Sequence, residues 1–281
     1  MLHRQVVLPL PRGTLRLGPT ASLMGILNVT PDSFSDGGRH DSIAAAVAQA
    51  RRMQVEGAAV IDIGGESTRP GAEEVSVQAE LDRVLPVFDA LSAFPVPLSI
   101  DTCKALVADQ AIQAGAQIVN DVHGLQRDPE IADVAALHGT ALVIMHWDAE
   151  RDRDRDIIGE MQRFFDRSLA IADKAGVTRD RLLLDPGFGF AKSLSENYGI
   201  LRRLPELLAL GLPLLVGTSR KSMIGRVLDA PADQRDTGTA ATSVLGYLSG
   251  ASFFRVHDVR ANRDALRVAA ATLYGPQEPM P

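Results

Sequence analysis

The feature that most constrains this chain is an alternation that recurs eight times: a short apolar run rich in Val, Ile and Leu, a polar or glycine-bearing turn, then a longer stretch with helical spacing. Parallel strands need a crossover between them, usually a helix, so the pattern calls for repeated strand–helix units. The apolar runs are Leu23–Leu27, Val60–Ile63, Leu98–Ile100, Ile118–Asn120, Ala141–Met145, Leu182–Leu184, Leu214–Gly217 and Phe253–Val256. The helical stretches are Ser42–Glu56, Val77–Leu91, Lys104–Ala114, Asp128–His138, Ile157–Ala175, Leu194–Leu210, Gly238–Ser249 and Arg260–Leu273. Eight such units close into a barrel of roughly 250 residues. The expectation is therefore an α/β chain with a single-domain (β/α)8 TIM barrel over 21–274. Residues 1–20, with Val6–Leu8 and Thr14–Leu17 around Pro9–Gly13, read as an N-terminal β-hairpin that can plug the barrel floor. Residues 275–281, with three prolines, read as an irregular tail.

Composition narrows the partners. A formal net charge of -6 argues against a nonspecific nucleic-acid binder but leaves room for a local basic pocket for a small anion. The single cysteine, Cys103, excludes an intramolecular disulfide and any zinc site built on paired cysteines. No segment reaches the ~20 apolar residues of a membrane span and the start lacks a secretory core, so the expectation is a cytoplasmic protein with no membrane partner.

In such a barrel the site is built at the C-terminal ends of the strands. Those ends are polar here: Asn28 after the first run, Asp62 within the second, Asp101, Asn120-Asp121, His146, Asp185, then Ser219-Arg220-Lys221, and finally Arg255 with His257 just beyond. Buried without partners each would cost stability, so their gathering at one end implies a shared polar ligand. Singly, an Asp or Asn after a strand is more often a cap or turn former, a reading open for Asp101, Asp121 and Asn28.

The set has a chemistry. Asp101, Asp185, Asn120 and Lys221 mix acceptors and donors in the way that reads the edge of a flat heterocycle with amino and oxo groups, such as a pterin. Arg255 and His257 alternate along the last strand and its exit, so both can face one side and grip a pyrophosphate. Asn28 and Thr30 offer neutral oxygens suited to a Mg²⁺ that takes most of its ligands from water and phosphate. Two glycine-bearing segments, 30–38 with Phe34 and 64–71 with Thr68, Arg69 and Pro70, read as loops that fold over a bound substrate.

The segments Met24–Gly38 (MGILNVTPDSFSDGG) and Asp62–Gly71 (DIGGESTRPG) closely resemble the two signatures of the dihydropteroate synthases, a pterin-binding barrel family. Further matches follow in family order at Ser99–Thr102, Asn120–Val122, Leu184–Phe190, Gly217–Ser222 and Arg255–Asp258. The resemblance implies condensation of a pterin-methyl pyrophosphate with p-aminobenzoate by ionisation, without a protein nucleophile. It implies that Asp101, Asn120, Asp185, Lys221 and Gly217 bind the pterin, with Met145 and Phe190 walling its ring. Asn28, Thr68, Arg255 and His257 would hold pyrophosphate, with Asn28 on Mg²⁺, and Phe34, Thr68, Arg69, Pro70 and Ser222 would shape the p-aminobenzoate site. Lys221, Arg255, His257 and Asp101 would carry the chemistry, and the protein would be a homodimer.

This chain departs from the family pattern twice. Trp147-Asp148-Ala149-Glu150 and the charge run Arg151–Asp156 replace a Gly-x-Pro stretch, and Ala191 stands where the family usually has Gly. The run reads as a solvated loop or helix entry, His146 and His123 as structural, and Trp147 as either a pocket wall or a surface plug. Two other functions are open on the residues alone. A barrel passing a folate methyl group to a corrinoid would need neither anion clamp nor second-substrate loop, and against a noncatalytic pterin-binding module stand the clamp, the loops and Lys221 together.

Overall fold

In a computed structural model of the chain, residues 3–30, 39–67 and 74–276 are described. Strands β1 (Val6–Pro9) and β2 (Thr14–Leu17) form an antiparallel hairpin pairing Val6 with Leu17 and Pro9 with Thr14. The other strands are β3 (Ser22–Asn28), β4 (Val60–Gly64), β5 (Leu98–Asp101), β6 (Ala116–Asp121), β7 (Ala141–Met145), β8 (Leu182–Asp185), β9 (Leu215–Val216) and β10 (Phe253–Val256). They run parallel in the order β8-β7-β6-β5-β4-β3-β10-β9. A bridge between Leu184 and Leu214, with Leu184 N–H donating to the Pro213 carbonyl at 3.0 Å, joins the two ends and closes the barrel. Helices surround it: α1 (Arg39–Glu56), α2 (Val77–Ala90), α3 (Ala105–Gln113), α4 (Glu130–His138), α5 (Ile157–Ala175), α6 (Leu194–Arg202), α7 (Leu204–Leu208), α8 (Ser222–Leu228), α9 (Asp236–Leu248) and α10 (Val259–Tyr274).

The period-two alternation of the strands sorts their side chains into two cores. Outward residues such as Leu27, Ile61, Ile63, Ile100, Val119, Leu142, Ile144 and Leu184 pack with the helices. Inward residues at the N-terminal half of the barrel, among them Met24, Val60, Ile118, Val143, Leu183, Leu215 and Phe253, form a separate core with Leu8, Leu10, Leu15 and Leu17 of the hairpin. The hairpin thus closes the floor in apolar contact, and the inward positions left at the other end are the polar ones.

Three local expectations change. The stretch Leu194–Leu210 is two helices rather than one, because Pro205 at the start of α7 has no N–H to continue the ladder of α6. Helix α8 begins directly after Lys221, a short element with too few turns for periodicity to show. The charge run is not wholly solvated: Arg151 is buried and its guanidinium donates to Glu196, while Asp156 caps α5 by accepting from Gly159 N–H at 3.2 Å. Among the described residues no helix is long and apolar enough to cross a membrane.

Candidate functional site

Asp62 occupies the middle of β4 and is fully buried. A carboxylate there needs a counter-charge, and β10, two strands away in the ring, supplies it. Arg255 Nε donates to Asp62 Oδ2 at 2.6 Å and Arg255 Nη2 to Asp101 Oδ2 at 2.6 Å. Asn120 Nδ2 also donates to Asp62 Oδ2, at 3.1 Å. Strands β4, β5, β6 and β10 are therefore tied through one polar layer across the barrel. Asp62 Oδ1, Asp101 Oδ1 and Ser99 Oγ remain buried with no protein hydrogen-bond partner, leaving acceptors and a hydroxyl for a ligand or water.

On the opposite side of the mouth, Gly217 follows β9. A Cβ placed there would lie 3.5 Å from Asp185 Oδ2, 3.8 Å from Lys221 Nζ and 3.9 Å from Arg255 Cβ, so the absent side chain leaves room at the point where these groups converge. Lys221 Nζ sits 4.6 Å from the centre of the Phe190 ring, in cation–π range. Met145 packs with Cys103 and Val122, and Trp147 and Phe190 rest against that cluster. Trp147 lies 5.0 Å from Phe190 and stacks on His123 at 4.3 Å, so it packs into the apolar cluster around Met145 rather than standing apart from it.

His257 reaches the same mouth through Ser219, whose Oγ accepts from His257 N–H at 3.1 Å and lies 2.9 Å from Nδ1. Asn28 Oδ1 and Asp101 flank Gly64: a Cβ placed on that glycine would be 3.8 Å from the former and 3.4 Å from Asp101 Cβ. Ser222 is exposed at the first turn of α8, beside Lys221. Phe34, Thr68, Arg69 and Pro70 lie outside the described residues.

Burial sets the protonation of the group. It pushes the Asp101 carboxyl up to about 7, against the pull of Arg255 and with added repulsion from Asp62. It raises Asp185 as well, with Lys221 opposing, and it lowers the Lys221 ammonium to about 8, with Asp185 opposing. At Arg255 burial also works against the charge, but Asp62 and Asp101 outweigh it and its pKa rises. The outcome is a site of opposed charges in which Asp101 and Lys221 titrate near neutrality while Arg255 stays charged.

The cap-or-ligand question resolves residue by residue. Asp101 caps no helix: α3 starts after Lys104, and the Asp101 carboxylate faces Arg255. Asp121 is a turn former, accepting from His123 N–H at 2.8 Å and Leu125 N–H at 2.6 Å. His146 is buried against Phe164 and Phe165, and burial, reinforced by Lys192 and Arg151, pulls its pKa down to about 2, so it is neutral. Sequence reasoning missed the roles of two partly buried lysines. Lys104 donates to Glu66 and, at 2.7 Å, to the fully buried Glu80, tying the stem of the loop after β4 to helix α2. Lys192 donates only to backbone carbonyls, which no sequence pattern marks.

A family model described as "Pterin binding enzyme" matches residues 24–257. A dihydropteroate synthase of Synechocystis is 48% identical over 273 residues, 94% of this chain and 94% of the relative. A dihydropteroate synthase from Clostridium difficile, solved in the presence of pteroic acid, superposes with a TM-score of 0.89 at 45% identity, covering 92% of this chain and 98% of that one. One from Xanthomonas albilineans, solved with 4-aminobenzoic acid, gives a TM-score of 0.88 at 44% identity, covering 93% and 96%.

Proposed function

Because the chain belongs to the dihydropteroate synthase family of pterin-binding enzymes, and so is a transferase of folate synthesis, we propose that its strand-end residues carry the condensation in stated roles. The substrates are 6-hydroxymethyl-7,8-dihydropterin pyrophosphate and p-aminobenzoate, and the products are 7,8-dihydropteroate and pyrophosphate. The observation that carries this reading is the convergence of Asp185, Lys221 and Arg255 at Gly217, with Asp101 and Asn120 joined to the same arginine layer.

Asp101, Asn120 and Asp185 meet the donors of the pterin edge, and Lys221 donates to its acceptors. Met145 and Phe190 hold the ring plane, and Gly217 leaves it room. The C–O bond to pyrophosphate breaks with its electron pair leaving on oxygen, a cation stabilised by the ring remains, and the aniline lone pair forms the new C–N bond before an N–H proton passes to solvent. Arg255 and His257 stabilise the departing charge. Arg255 spends Nε and Nη2 on Asp62 and Asp101, and Nη1 takes no part in those bonds. Removing one well-placed donor from such a site costs roughly 3–4 kcal/mol of barrier. Phe34, Thr68, Arg69, Pro70 and Ser222 are assigned to p-aminobenzoate, and Thr68 also to pyrophosphate.

Asn28 suits Mg²⁺ as a single neutral oxygen beside Asp101, whose Oδ1 is unpartnered. Among the described residues no group of three His, Cys, Asp or Glu forms a metal cage, which fits an ion that takes most of its ligands from phosphate and water. When bound, Mg²⁺ would neutralise part of the pyrophosphate charge. The exposed Leu245 and Leu248 on α9 and Val268 on α10, a packed helix pair, support a homodimer, which sedimentation velocity tests.

The deciding experiment is pyrophosphate release from the pterin pyrophosphate, with and without p-aminobenzoate and with and without a divalent-cation chelator. The reading expects release that Lys221→Ala or Arg255→Ala abolishes in folded protein. Pterin binding with no release from the wild-type chain overturns it.

A further inference from the structure

We propose that Lys192 is a positioning residue for the pterin pocket: one partly buried ammonium fastens the loop after β7 to the loop after β8 and thereby fixes Phe190 and Trp147 around the ring. The proposal rests on the reading of Phe190 as a pterin wall. Lys192 Nζ donates to the carbonyls of His146 at 3.2 Å, Gly187 at 2.8 Å and Phe190 at 3.1 Å. Three N–H donors of one ammonium therefore meet three carbonyls drawn from two different loops.

Each of those carbonyls belongs to a peptide that places a site residue. The His146 carbonyl is part of the peptide leading into Trp147, and Trp147 lies between His123 and Phe190. The Gly187 carbonyl also accepts from Phe190 N–H at 3.1 Å, and Gly187 N–H donates to Asp185 Oδ1 at 2.7 Å, so this turn holds the wall and a site carboxylate together. Only glycine fits at 187: its φ is +66°, and a Cβ would sit 2.0 Å from the His146 carbonyl oxygen. The two loops touch backbone to backbone there, and Lys192 is the cation that makes the contact favourable rather than a meeting of bare carbonyls.

The segment is also held against strain. Ala191, between Phe190 and Lys192, has φ +49°, a conformation costing an L-residue about 1–2 kcal/mol. Such a residue persists when its neighbours are over-determined. Lys192 provides that on one side. On the other, buried Asn197 accepts from Gly189 N–H at 2.7 Å and donates to the Ser193 carbonyl at 2.7 Å. Burial lowers the Lys192 pKa, and Asp185 opposes that by favouring the charged form.

Lys192→Met keeps most of the side-chain volume and removes the three donors. Trp147 is the only tryptophan of the chain, so its emission reports the loops directly. In folded K192M, judged by far-UV circular dichroism, ligand-free Trp147 emission should move to longer wavelength. KM for the pterin pyrophosphate should rise about tenfold or more, while kcat and KM for p-aminobenzoate stay within about threefold, the pattern of a lost uniform binding contact. Phe190→Ala separates the two ideas. If F190A leaves the pterin KM unchanged, the wall reading falls, and the K192M emission shift alone decides the placement. Emission and KM both unchanged in K192M, or an emission shift without a KM change while F190A raises KM, overturns the proposal. Should K192M not fold, Asn197→Ala, which releases Gly189 in the same turn, is read by the same measurements with the same outcomes.

Discussion

Asp62→Asn tests whether the buried polar layer is what aims Arg255. The substitution keeps shape and removes charge. Asp62 Oδ2 accepts from Arg255 Nε at 2.6 Å and from Asn120 Nδ2 at 3.1 Å, and the carboxylate is fully buried, so solvent screens these bonds only weakly. A hydrogen bond to a charged group is worth about 1.5–3 kcal/mol and a neutral one about 1 kcal/mol. Because the amide oxygen of Asn still accepts one of the two, the expected loss is about 2–3 kcal/mol in urea unfolding. Arg255 then keeps one anchor instead of two, and kcat/KM for pyrophosphate release should fall about tenfold to a hundredfold. The pH profile supplies a third readout. Asp62 repels negative charge on Asp101 and so contributes to holding that carboxyl at about 7. Without the repulsion the Asp101 pKa falls, so the acid limb of kcat/KM moves to lower pH. Stability follows the same logic: with the folded pKa at about 7 against about 3.9 in the unfolded chain, the unfolded state gives up this proton first. Raising pH from about 4 to 7 therefore costs the native state through Asp101, and D62N should flatten that dependence. A stability loss below about 1 kcal/mol together with an acid limb that stays or moves upward would show that Asp62 does not anchor Arg255.

Four further outcomes follow from the same geometry. The free-enzyme profile of kcat/KM should be a narrow bell, because Asp101 must ionise above about 7 while Lys221 must stay protonated below about 8; Lys221→Arg should push back the alkaline limb alone, and a flat profile from acid to alkaline pH contradicts the assignment. Arg255→Ala leaves two buried carboxylates without their cation and should cost about 3–5 kcal/mol of stability besides abolishing release, as urea midpoints will show. Asp121→Ala removes an acceptor for two backbone N–H groups and should cost about 1–3 kcal/mol while leaving KM for both substrates unchanged. Leu8→Ala, at a fully buried position in the barrel floor, should cost about 2–5 kcal/mol with kinetic constants intact, since it lies at the end opposite the site.

The fold was legible because strand alternation and helix spacing are each written in the residue types themselves. Ala141–Met145 and Ile157–Ala175 appear in the structure with the bounds that their patterns suggest. Legibility failed where backbone chemistry, not side-chain pattern, decides. Pro205 divides a stretch whose apolar spacing runs on unbroken, and α8 is too short for a period to establish itself. The β9 run reads as Leu214–Gly217, yet ladder hydrogen bonds cover Leu215–Val216 and leave Leu214 to the closing bridge, because pairing depends on the partner strand's register.

The site divides along the same line. Asp62 sits at the centre of Val60–Gly64, a strand buried at every position, and a carboxylate there demands a cation from elsewhere in the barrel. Arg255 carries the complementary charge, but the sequence reading assigns it to the pyrophosphate, and only the structure pairs it with Asp62 and Asp101. Lys192 offers no such clue. Its partners are three peptide carbonyls, a group that every residue carries, so nothing in the identities of His146, Gly187 or Phe190 announces that a lysine will bind them. Sequence reading finds interactions that require particular side chains at both ends. A cation that organises backbone becomes visible only when two loops distant in sequence are brought together, which is why Lys192 was harder to read than the charged residues that pair with one another at the strand ends.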